Sequence, residues 1–201
     1  SWWQRLVLAA TAILLLLLND TARLLAVGGL FIAILYPFMK RWTHLPQVVL
    51  GAAFSWGIVM AFAAVQGHLS QPAWLMFVAS LLWIVAYDTL YAMVDREDDL
   101  KLGVKSTAVL FGDADRLIVG LLQAAALWAF WLLGRQFDYG PLYLLTLAVM
   151  AGGFVHQQRL IRKRDPAQCF VAFANNTWVG FVLFAGTLAE LYLGPLLPGL
   201  P

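Results

Sequence analysis

Seven long apolar runs, separated by short polar or helix-breaking segments, dominate this sequence. A helix of roughly 20 mostly apolar residues spans the hydrocarbon core of a bilayer, and a chain in lipid must satisfy its backbone hydrogen bonds internally. The sequence therefore predicts an all-α integral membrane bundle of about seven transmembrane helices, with residues 1–201 forming a single domain. The predicted spans are residues 2–18, 23–39, 46–65, 72–94, 117–133, 142–160 and 169–193.

Composition and charge exclude several other classes of protein. Of the 201 residues, 62% are hydrophobic and 12% are charged, whereas an ordinary soluble domain is roughly half apolar and a quarter charged. The net charge of +2 indicates no nucleic-acid partner, because phosphate binding needs clustered cations on a solvated face. The single cysteine, Cys169, has no partner for an internal disulfide. The composition therefore indicates a lipid bilayer as the surrounding solvent.

The basic residues predict the orientation of the spans, because cytoplasmic loops carry an excess of Lys and Arg. When successive connections alternate between the two sides, one side receives eleven of the 13 basic residues and the other only Arg23 and Arg135. We therefore expect the N-terminus and the 95–115 loop in the cytoplasm and the C-terminus outside. The eleven are Arg5, Lys40, Arg41, Arg96, Lys101, Lys105, Arg116, Arg159, Arg162, Lys163 and Arg164.

Three aspartates cluster where the fourth apolar run meets the following loop. At about 100° per residue, Asp95 and Asp99 lie within about 20° of Asp88 around a continuous helix, so the three carboxylates share one face. Tyr91 flanks that face and is a candidate substrate-binding residue. Asp88 lies inside a predicted span, where an ionisable side chain marks a functional site by default. We predict that Asp88, Asp95 and Asp99 are catalytic residues.

The spacing of these carboxylates favours a divalent cation. Carboxylates four residues apart on a helix repel one another, and the C-terminal end of a helix is the unfavourable end for negative charge. Mg²⁺ reverses that penalty, since it binds one or two carboxylates together with water and substrate phosphate oxygens. We therefore predict that Asp95 and Asp99 bind Mg²⁺ and that the substrate carries phosphate.

Basic residues at the same membrane surface are candidates for binding the substrate's anionic groups. Lys40, Arg41 and Lys105 are available to hold diphosphate oxygens or a carboxylate. Three alternatives stay open at this point. These cations are also explained as membrane anchors, and the aspartates as a solvated loop with basic neighbours. An intramembrane Asp88 beside an acidic mouth also fits a cation transporter or channel.

The remaining polar residues of the spans have structural explanations. We expect Asn175 and Asn176 to form interhelical hydrogen bonds, because unpaired amides are costly in lipid. Gln157 and Gln158 are expected at headgroup level, and Glu190 at the outer interface. The Tyr36-Pro37 step is expected to kink or end its helix just before Lys40 and Arg41.

One stretch closely resembles a known family. Residues 87–112, YDTLYAMVDREDDLKLGVKSTAVLFG, resemble the second aspartate-rich motif and following loop of 4-hydroxybenzoate polyprenyltransferases, in the UbiA superfamily of membrane prenyltransferases. Supporting stretches are YPFMKRWTHLPQVVLGAAFSWGIVMAFAAV at residues 36–65 and CFVAFANNTWVGFVLF at residues 169–184. The resemblance covers essentially the whole chain.

The resemblance implies a nine-helix bundle around a cavity that opens sideways to lipid, with its active site on the cytosolic side of a bacterial inner membrane. The implied reaction transfers a polyprenyl group from polyprenyl diphosphate to the carbon ortho to the hydroxyl of 4-hydroxybenzoate, in ubiquinone biosynthesis. By position, Asp95 and Asp99 match Mg²⁺ ligands, and Asp88 matches a supporting aspartate. Arg41, with Lys40, matches the basic pair that holds diphosphate or the benzoate carboxylate.

One departure from the family pattern concerns the other half of that metal site. The family carries a first aspartate-rich motif of the type Asn-Asp-x-x-Asp-x-x-x-Asp, and no such sequence occurs in residues 1–201. The seven spans then correspond to the third to ninth helices, and the resemblance implies an N-terminally truncated chain that is inactive alone. Other UbiA-type prenyltransferases remain an alternative for the substrate.

Overall fold

The computed structural model describes residues 2–196, and the described chain is helical throughout, with no strand. Seven long helices and two short ones follow one another along the chain. Short 3₁₀ turns cover Gly112–Ala114, Ile161–Lys163 and Gly194–Leu196. The nine helices are α1 (Trp2–Leu17), α2 (Asp20–Trp42), α3 (Pro46–Gln66), α4 (Gln71–Val94), α5 (Arg96–Leu102), α6 (Thr107–Phe111), α7 (Asp115–Gln136), α8 (Pro141–Leu160) and α9 (Pro166–Leu193).

Prolines and glycines mark where the long helices begin and end. Pro46, Pro141 and Pro166 are the first residues of α3, α8 and α9, a position where the missing N–H has no helical partner to lose. Gly67 ends α3 with a φ of 76°, a left-handed conformation that glycine adopts without strain. These signals are local, so the sequence alone located the spans to within a few residues.

Pro37 does not end its helix, contrary to one of the two outcomes expected from the Tyr36-Pro37 step. α2 continues through Pro37 to Trp42, and the backbone N–H of Thr43 closes it on the carbonyl of Met39. An interior proline removes one backbone hydrogen bond, and the rest of this helix proceeds without interruption. Lys40 and Arg41 therefore lie on α2 itself.

Within residues 2–196, five helical segments are long and apolar enough to cross a bilayer: Asp20–Met39, Pro46–Gln66, Gln71–Val94, Thr107–Gln136 and Pro166–Leu196. The other two predicted spans are also helices. α1 is apolar but has 16 residues, and α8 has 20 residues with His156, Gln157 and Gln158 near its end. The protein is a multi-pass membrane protein with an all-α fold.

α4 lies at the centre of the bundle, where it packs against α3, α7 and α9. α2 packs on α3, and α8 packs on both α7 and α9. One buried apolar cluster joins α4, α7, α8 and α9, and contains Ala79, Ala129, Phe130, Leu133, Tyr143, Leu147, Met150, Phe154 and Val179. A second surrounds the last turns of α4 and contains Ala86, Leu90, Ala92, Met93, Ala108, Val119, Ile161, Cys169 and Ala172. This second cluster fixes the helix end that carries the aspartates.

α1 is held to the bundle by polar contacts at its C-terminal end, since it contains no buried residue. Arg23 donates from Nε to the carbonyl of Leu15 at 3.0 Å and from Nη2 to that of Leu16 at 2.6 Å. Asn19 donates from Nδ2 to the carbonyl of Ala63 on α3 at 2.8 Å. Arg23 thus satisfies carbonyls that a helix end leaves without partners.

Three of the basic segments lie at one end of the bundle. Lys105 donates from Nζ to the carbonyl of Trp42 at 3.5 Å, which joins the loop after α5 to the end of α2. Arg164, between α8 and α9, pairs with Asp115 at the start of α7 at 2.9 Å. These contacts bring the end of α2, the loop after α5 and the turn before α9 to the same end of the bundle.

Two predictions about polar residues of the spans are confirmed and two are corrected. Asn175 accepts a hydrogen bond from Gln157 Nε2, and Asn176 accepts one from Trp83, so both asparagines bond between helices as expected. Gln157, expected at headgroup level, is fully buried. Glu190, expected at the interface, is buried and accepts hydrogen bonds from the first backbone N–H groups at the start of α8.

Candidate active site

A small polar cavity of about 90 Å³ lies where α4 ends. Its walls come from α2, the first turn of α3, the end of α4, the start of α5 and the loop that leads to α6. The cavity brings together four of the residues singled out from the sequence, and it adds residues from three other segments. Its lining is Tyr36, Pro46, Gln47, Asp88, Tyr91, Ala92, Asp95, Asp99 and Ser106.

The three aspartates reach this cavity from a broken helix rather than a continuous one. α4 ends at Val94, and Asp95 links it to α5 with φ −92° and ψ 2°. The N–H of Asp99 donates to the carbonyl of Asp95 at 2.8 Å. The three aspartates therefore do not lie on one uninterrupted helix, and the prediction of a shared helix face was wrong in this respect. Asp88, Asp95 and Asp99 nevertheless line one cavity, because the break is a single residue long.

The break changes the electrostatics of the aspartates. Asp99 lies in the first turn of α5, and Asp95 is the residue before that helix. Negative charge is favourable at a helix N-terminus, where unpaired N–H groups give a partial positive charge. The sequence predicted that these carboxylates lie at an unfavourable helix C-terminus. That is true of Asp95, which follows α4, but Asp99 lies at the favourable N-terminal end of α5.

Buried hydroxyl and amide groups that the sequence reasoning did not single out hold the loop against the cavity. Gln47 accepts a hydrogen bond at Oε1 from the N–H of Thr107 at 3.2 Å. The hydroxyls of Thr89 and Thr107 share a 2.8 Å hydrogen bond, and Ser106 caps α6 by accepting from Val109 N–H. A Ser-Thr pair before a short apolar run predicts the start of a helix. The sequence pattern does not predict the hydrogen bond to Gln47, because that residue is 60 positions away along the chain.

The basic candidates Arg41 and Lys105 are not among the residues that line the cavity. Arg41 is exposed near the end of α2, five residues beyond Tyr36, which is about 7.5 Å of helix rise. Lys105 directly precedes Ser106 and reaches the end of α2. The side chain of Lys40 is not among those the structure describes. Neither Arg41 nor Lys105 therefore lines the cavity, and Lys105 is the one adjacent in sequence to a lining residue.

An apolar cleft of about 580 Å³ adjoins the polar cavity, and the two share Tyr36 and Asp88. Aromatic rings form its α4 and α9 side. Phe173 lies 6.0 Å from Tyr87 and 5.1 Å from Tyr91 between ring centroids. The site thus has an acidic end and a much larger apolar end. The cleft is lined by Ala33, Tyr36, Leu50, Ala53, Phe54, Tyr87, Asp88 and Phe173.

The oxygen donors of the polar cavity fit Mg²⁺ as a partial site. Within residues 2–196 no group of three or more His, Cys, Asp or Glu side chains is arranged to hold a metal ion by itself. Mg²⁺ does not need such a group, since it is commonly bound by one or two carboxylates, with water and phosphate oxygens completing the shell. Asp95 and Asp99, beside the Gln47 amide and Ser106 hydroxyl, match that donor chemistry.

A membrane-spanning helical bundle with an acidic pocket beside an apolar cleft is suited to a lipid whose anionic head is held through a divalent cation. Comparison with known proteins places the chain more narrowly. Residues 2–188 match the family described as the UbiA prenyltransferase family, and the chain belongs to that family.

Curated relatives are similar over most of this chain. A 4-hydroxybenzoate octaprenyltransferase of Pseudomonas aeruginosa is 54% identical over 194 residues, which is 96% of this chain and 66% of that protein. The enzyme of the same name from Coxiella burnetii is 55% identical over 175 residues, covering 87% of this chain and 61% of that protein. The chain thus spans about two thirds of the length of these relatives.

Two solved structures share the fold. An apo UbiA homologue from Aeropyrum pernix K1 superposes with a TM-score of 0.78 at 26% identity, covering 94% of this chain and 72% of that chain. A structure concerning digeranylgeranylglyceryl phosphate synthase in membranes has a TM-score of 0.72 at 20% identity, covering 94% and 67%. The second likeness shows the fold alone.

Proposed function

We propose that this chain carries the prenyl-transfer site for 4-hydroxybenzoate. The reaction moves a polyprenyl group from polyprenyl diphosphate to the ring carbon ortho to the hydroxyl, in ubiquinone biosynthesis at a bacterial inner membrane. The observation that carries the proposal is the junction of the acidic cavity with the apolar cleft at Tyr36 and Asp88. The names of the relatives at 54–55% identity support the choice of substrates.

The acidic cavity is the place for the diphosphate. Asp95 and Asp99 are the proposed Mg²⁺ ligands, with Asp88 supporting them from within α4. When bound, Mg²⁺ supplies positive charge that stabilises the departing diphosphate. We assign to Arg41 and Lys105 the binding of the outer diphosphate oxygens or the benzoate carboxylate, and to Lys40 the same role from its position in the sequence.

The apolar cleft is the place for the prenyl chain. Its walls exclude water, which would otherwise quench an electron-poor allylic centre. The rings of Tyr87 and Tyr91 flank the carboxylates, and aromatic faces attract positive charge. Tyr91, 42% exposed, lines the acidic cavity next to Asp88. These residues hold and shield the reacting end of the substrate while the carboxylates hold its head.

We further propose that residues 1–201 are one domain that supplies one half of the metal–diphosphate site. The sequence contains a stretch like the second aspartate-rich motif of the family and no match to the first, which supports this proposal. The test compares residues 1–201 alone with the same residues fused to the part of the Pseudomonas relative that the alignment leaves uncovered. Both are assayed for Mg²⁺-dependent joining of labelled 4-hydroxybenzoate to a short prenyl diphosphate.

Transfer by the fusion and not by residues 1–201 alone is the expected result. Comparable transfer by the two would overturn the half-site proposal, because the second carboxylate cluster would be dispensable. Absence of transfer by both, with each protein folded in detergent, would overturn the proposed function.

The roles of individual carboxylates are tested in the active fusion with a matched control. Asp95→Asn and Asp99→Asn each remove a proposed metal ligand and are expected to lower kcat by about 10²-fold or more, because stabilisation of transition-state charge is lost. Asp98→Asn removes an equal charge from the same helix, but Asp98 is exposed and pairs with Lys101. Its activity is expected to stay within about twofold of the parent. An equal loss of kcat from Asp98→Asn and Asp95→Asn would contradict the proposed metal ligands, because the loss would then follow the net charge of the segment.

A further inference from the structure

A buried carboxylate on α7 joins three segments beside the acidic cavity. Asp115 is fully buried, and its two oxygens accept from Nε of Arg164 at 3.0 and 3.1 Å. Arg96 approaches the same carboxylate with Nη1 at 3.4 Å. Asp115 also accepts from the N–H of Arg116 at 2.6 Å. One carboxylate therefore connects the start of α5, the start of α7 and the turn before α9.

The geometry around Arg164 holds this cluster in place. Arg164 adopts a φ of 54°, an uncommon conformation for a residue with a side chain, and donates from Nη2 to the carbonyl of Asp113 at 2.7 Å. Hydrogen bonding to Asp115 raises the pKa of the Arg164 guanidinium above its ordinary value. Asp115 is thus paired with a permanent cation, which a buried carboxylate requires.

Arg96 is the covalent neighbour of a proposed metal ligand. It follows Asp95 directly and is the first residue of α5, whose first turn carries Asp99. α5 has no buried residue, so packing does little to fix its orientation. Among the described residues, both ion pairs that join α5 to another element run through Arg96, to Asp113 at 3.8 Å and to Asp115 at 3.4 Å.

We propose that Asp115 is a positioning residue that, through Arg96, fixes the start of α5 so that Asp95 and Asp99 face the cavity together. The inference rests on the proposed function, since it concerns how the two carboxylates are presented to Mg²⁺. Asp115 itself does not line the cavity. Displacing a metal ligand by even a fraction of an ångström weakens binding, and partners that orient ligands commonly change metal affinity by 10–100-fold.

The test measures Mn²⁺ binding as well as activity. Residues 1–201 in detergent are titrated with Mn²⁺ by electron paramagnetic resonance in the presence of geranyl thiolodiphosphate, a non-reacting diphosphate. Arg96→Gln removes the connection and is expected to raise the Kd for Mn²⁺ about tenfold. Arg96→Lys keeps a cation and is expected to recover part of that loss. Lys101→Gln, which removes an exposed cation from the same helix, is the control and is expected to bind as the parent does.

A purely structural role makes a different set of predictions. It predicts that Arg96→Gln lowers the thermal unfolding temperature while the Kd for Mn²⁺ stays at the parent value, and that result would overturn the proposal. Asp115→Asn is the second variant; where it stays folded, a rise in Kd like that of Arg96→Gln supports the proposal. In the active fusion, the Mg²⁺ concentration for half-maximal rate should rise for Arg96→Gln with little change in kcat at saturating Mg²⁺.

The same titration separates this inference from the proposed function. If the parent protein bound no Mn²⁺ and the fusion transferred no prenyl group, the proposed function itself would fail. If the parent bound Mn²⁺ and Arg96→Gln bound it equally well, only the positioning role would fail.

Discussion

Replacing Gln157 by leucine should destabilise the bundle, although leucine is apolar and of similar size. Gln157 is fully buried on α8; it accepts from Gln123 Nε2 on α7 at 2.7 Å and donates to Asn175 Oδ1 on α9 at 3.1 Å. Leucine fills a similar volume, but it leaves the Gln123 Nε2 donor and the Asn175 Oδ1 acceptor without these partners. An orphaned buried group costs about 1–3 kcal/mol, whereas interhelical bonds in lipid average about 0.6 kcal/mol. For the two hydrogen bonds together, values between these two figures give an expected decrease of about 2 kcal/mol in the free energy of unfolding.

The assay is reversible unfolding in mixed micelles of mild detergent and dodecyl sulfate. His156→Leu, an exposed neighbour on the same helix, is the control and should stay within about 0.5 kcal/mol of the parent. The double variant Gln123→Leu/Gln157→Leu should cost less than the sum of the two single changes, because it removes both ends of their shared bond. A loss below about 0.5 kcal/mol for Gln157→Leu, or strict additivity in the double variant, would refute the reasoning.

Three further changes test other parts of the molecule. Glu190→Gln should lower unfolding free energy by about 1–3 kcal/mol, because Glu190 accepts charge-assisted bonds from Gly140 and Tyr143 N–H at 2.7 and 3.0 Å. Gly134→Ala should lower the free energy of unfolding by about 1–3 kcal/mol through overpacking, since a Cβ there would meet the Tyr143 ring. Thermal unfolding of the Glu190→Gln and Gly134→Ala variants measures these two effects. Reporter fusions after residues 103 and 200 should report cytoplasm and outside respectively, and the same side for both would overturn the orientation.

The helices could be predicted from the sequence because lipid makes their signals local. The predicted spans 46–65 and 72–94 became Pro46–Gln66 and Gln71–Val94, since apolar length and breakers are both read within one window. The position of Gln157 was not predictable in this way. Whether a polar residue near a helix end faces headgroups or the bundle depends on the neighbouring helices, and its partners are 34 and 18 residues away along the chain.

The candidate site was predictable only where its residues lie close together in the sequence. Asp88, Tyr91, Asp95 and Asp99 lie within twelve consecutive residues, and the single-residue break between α4 and α5 is too short to carry them to different parts of the fold. Gln47 and Tyr36 belong to the same cavity but come from α3 and α2, and no spacing rule links those helices to α4. Their place in the site is a consequence of how α2, α3 and α4 pack.

The single-residue break at Asp95 explains how one short segment carries so much negative charge. On an uninterrupted helix, the carboxylates of residues 95, 97, 98 and 99 would all crowd a C-terminal end, where the backbone repels them. Ending α4 at Val94 and beginning α5 at Arg96 places Asp99 in a first turn instead, where backbone N–H groups attract it. The break also leaves Arg96 directed to a buried anion on α7, while Asp95 directly before it and Asp99 three residues after it line the cavity. The same change of helix that relieves the repulsion therefore makes the orientation of the carboxylates depend on a contact outside the site.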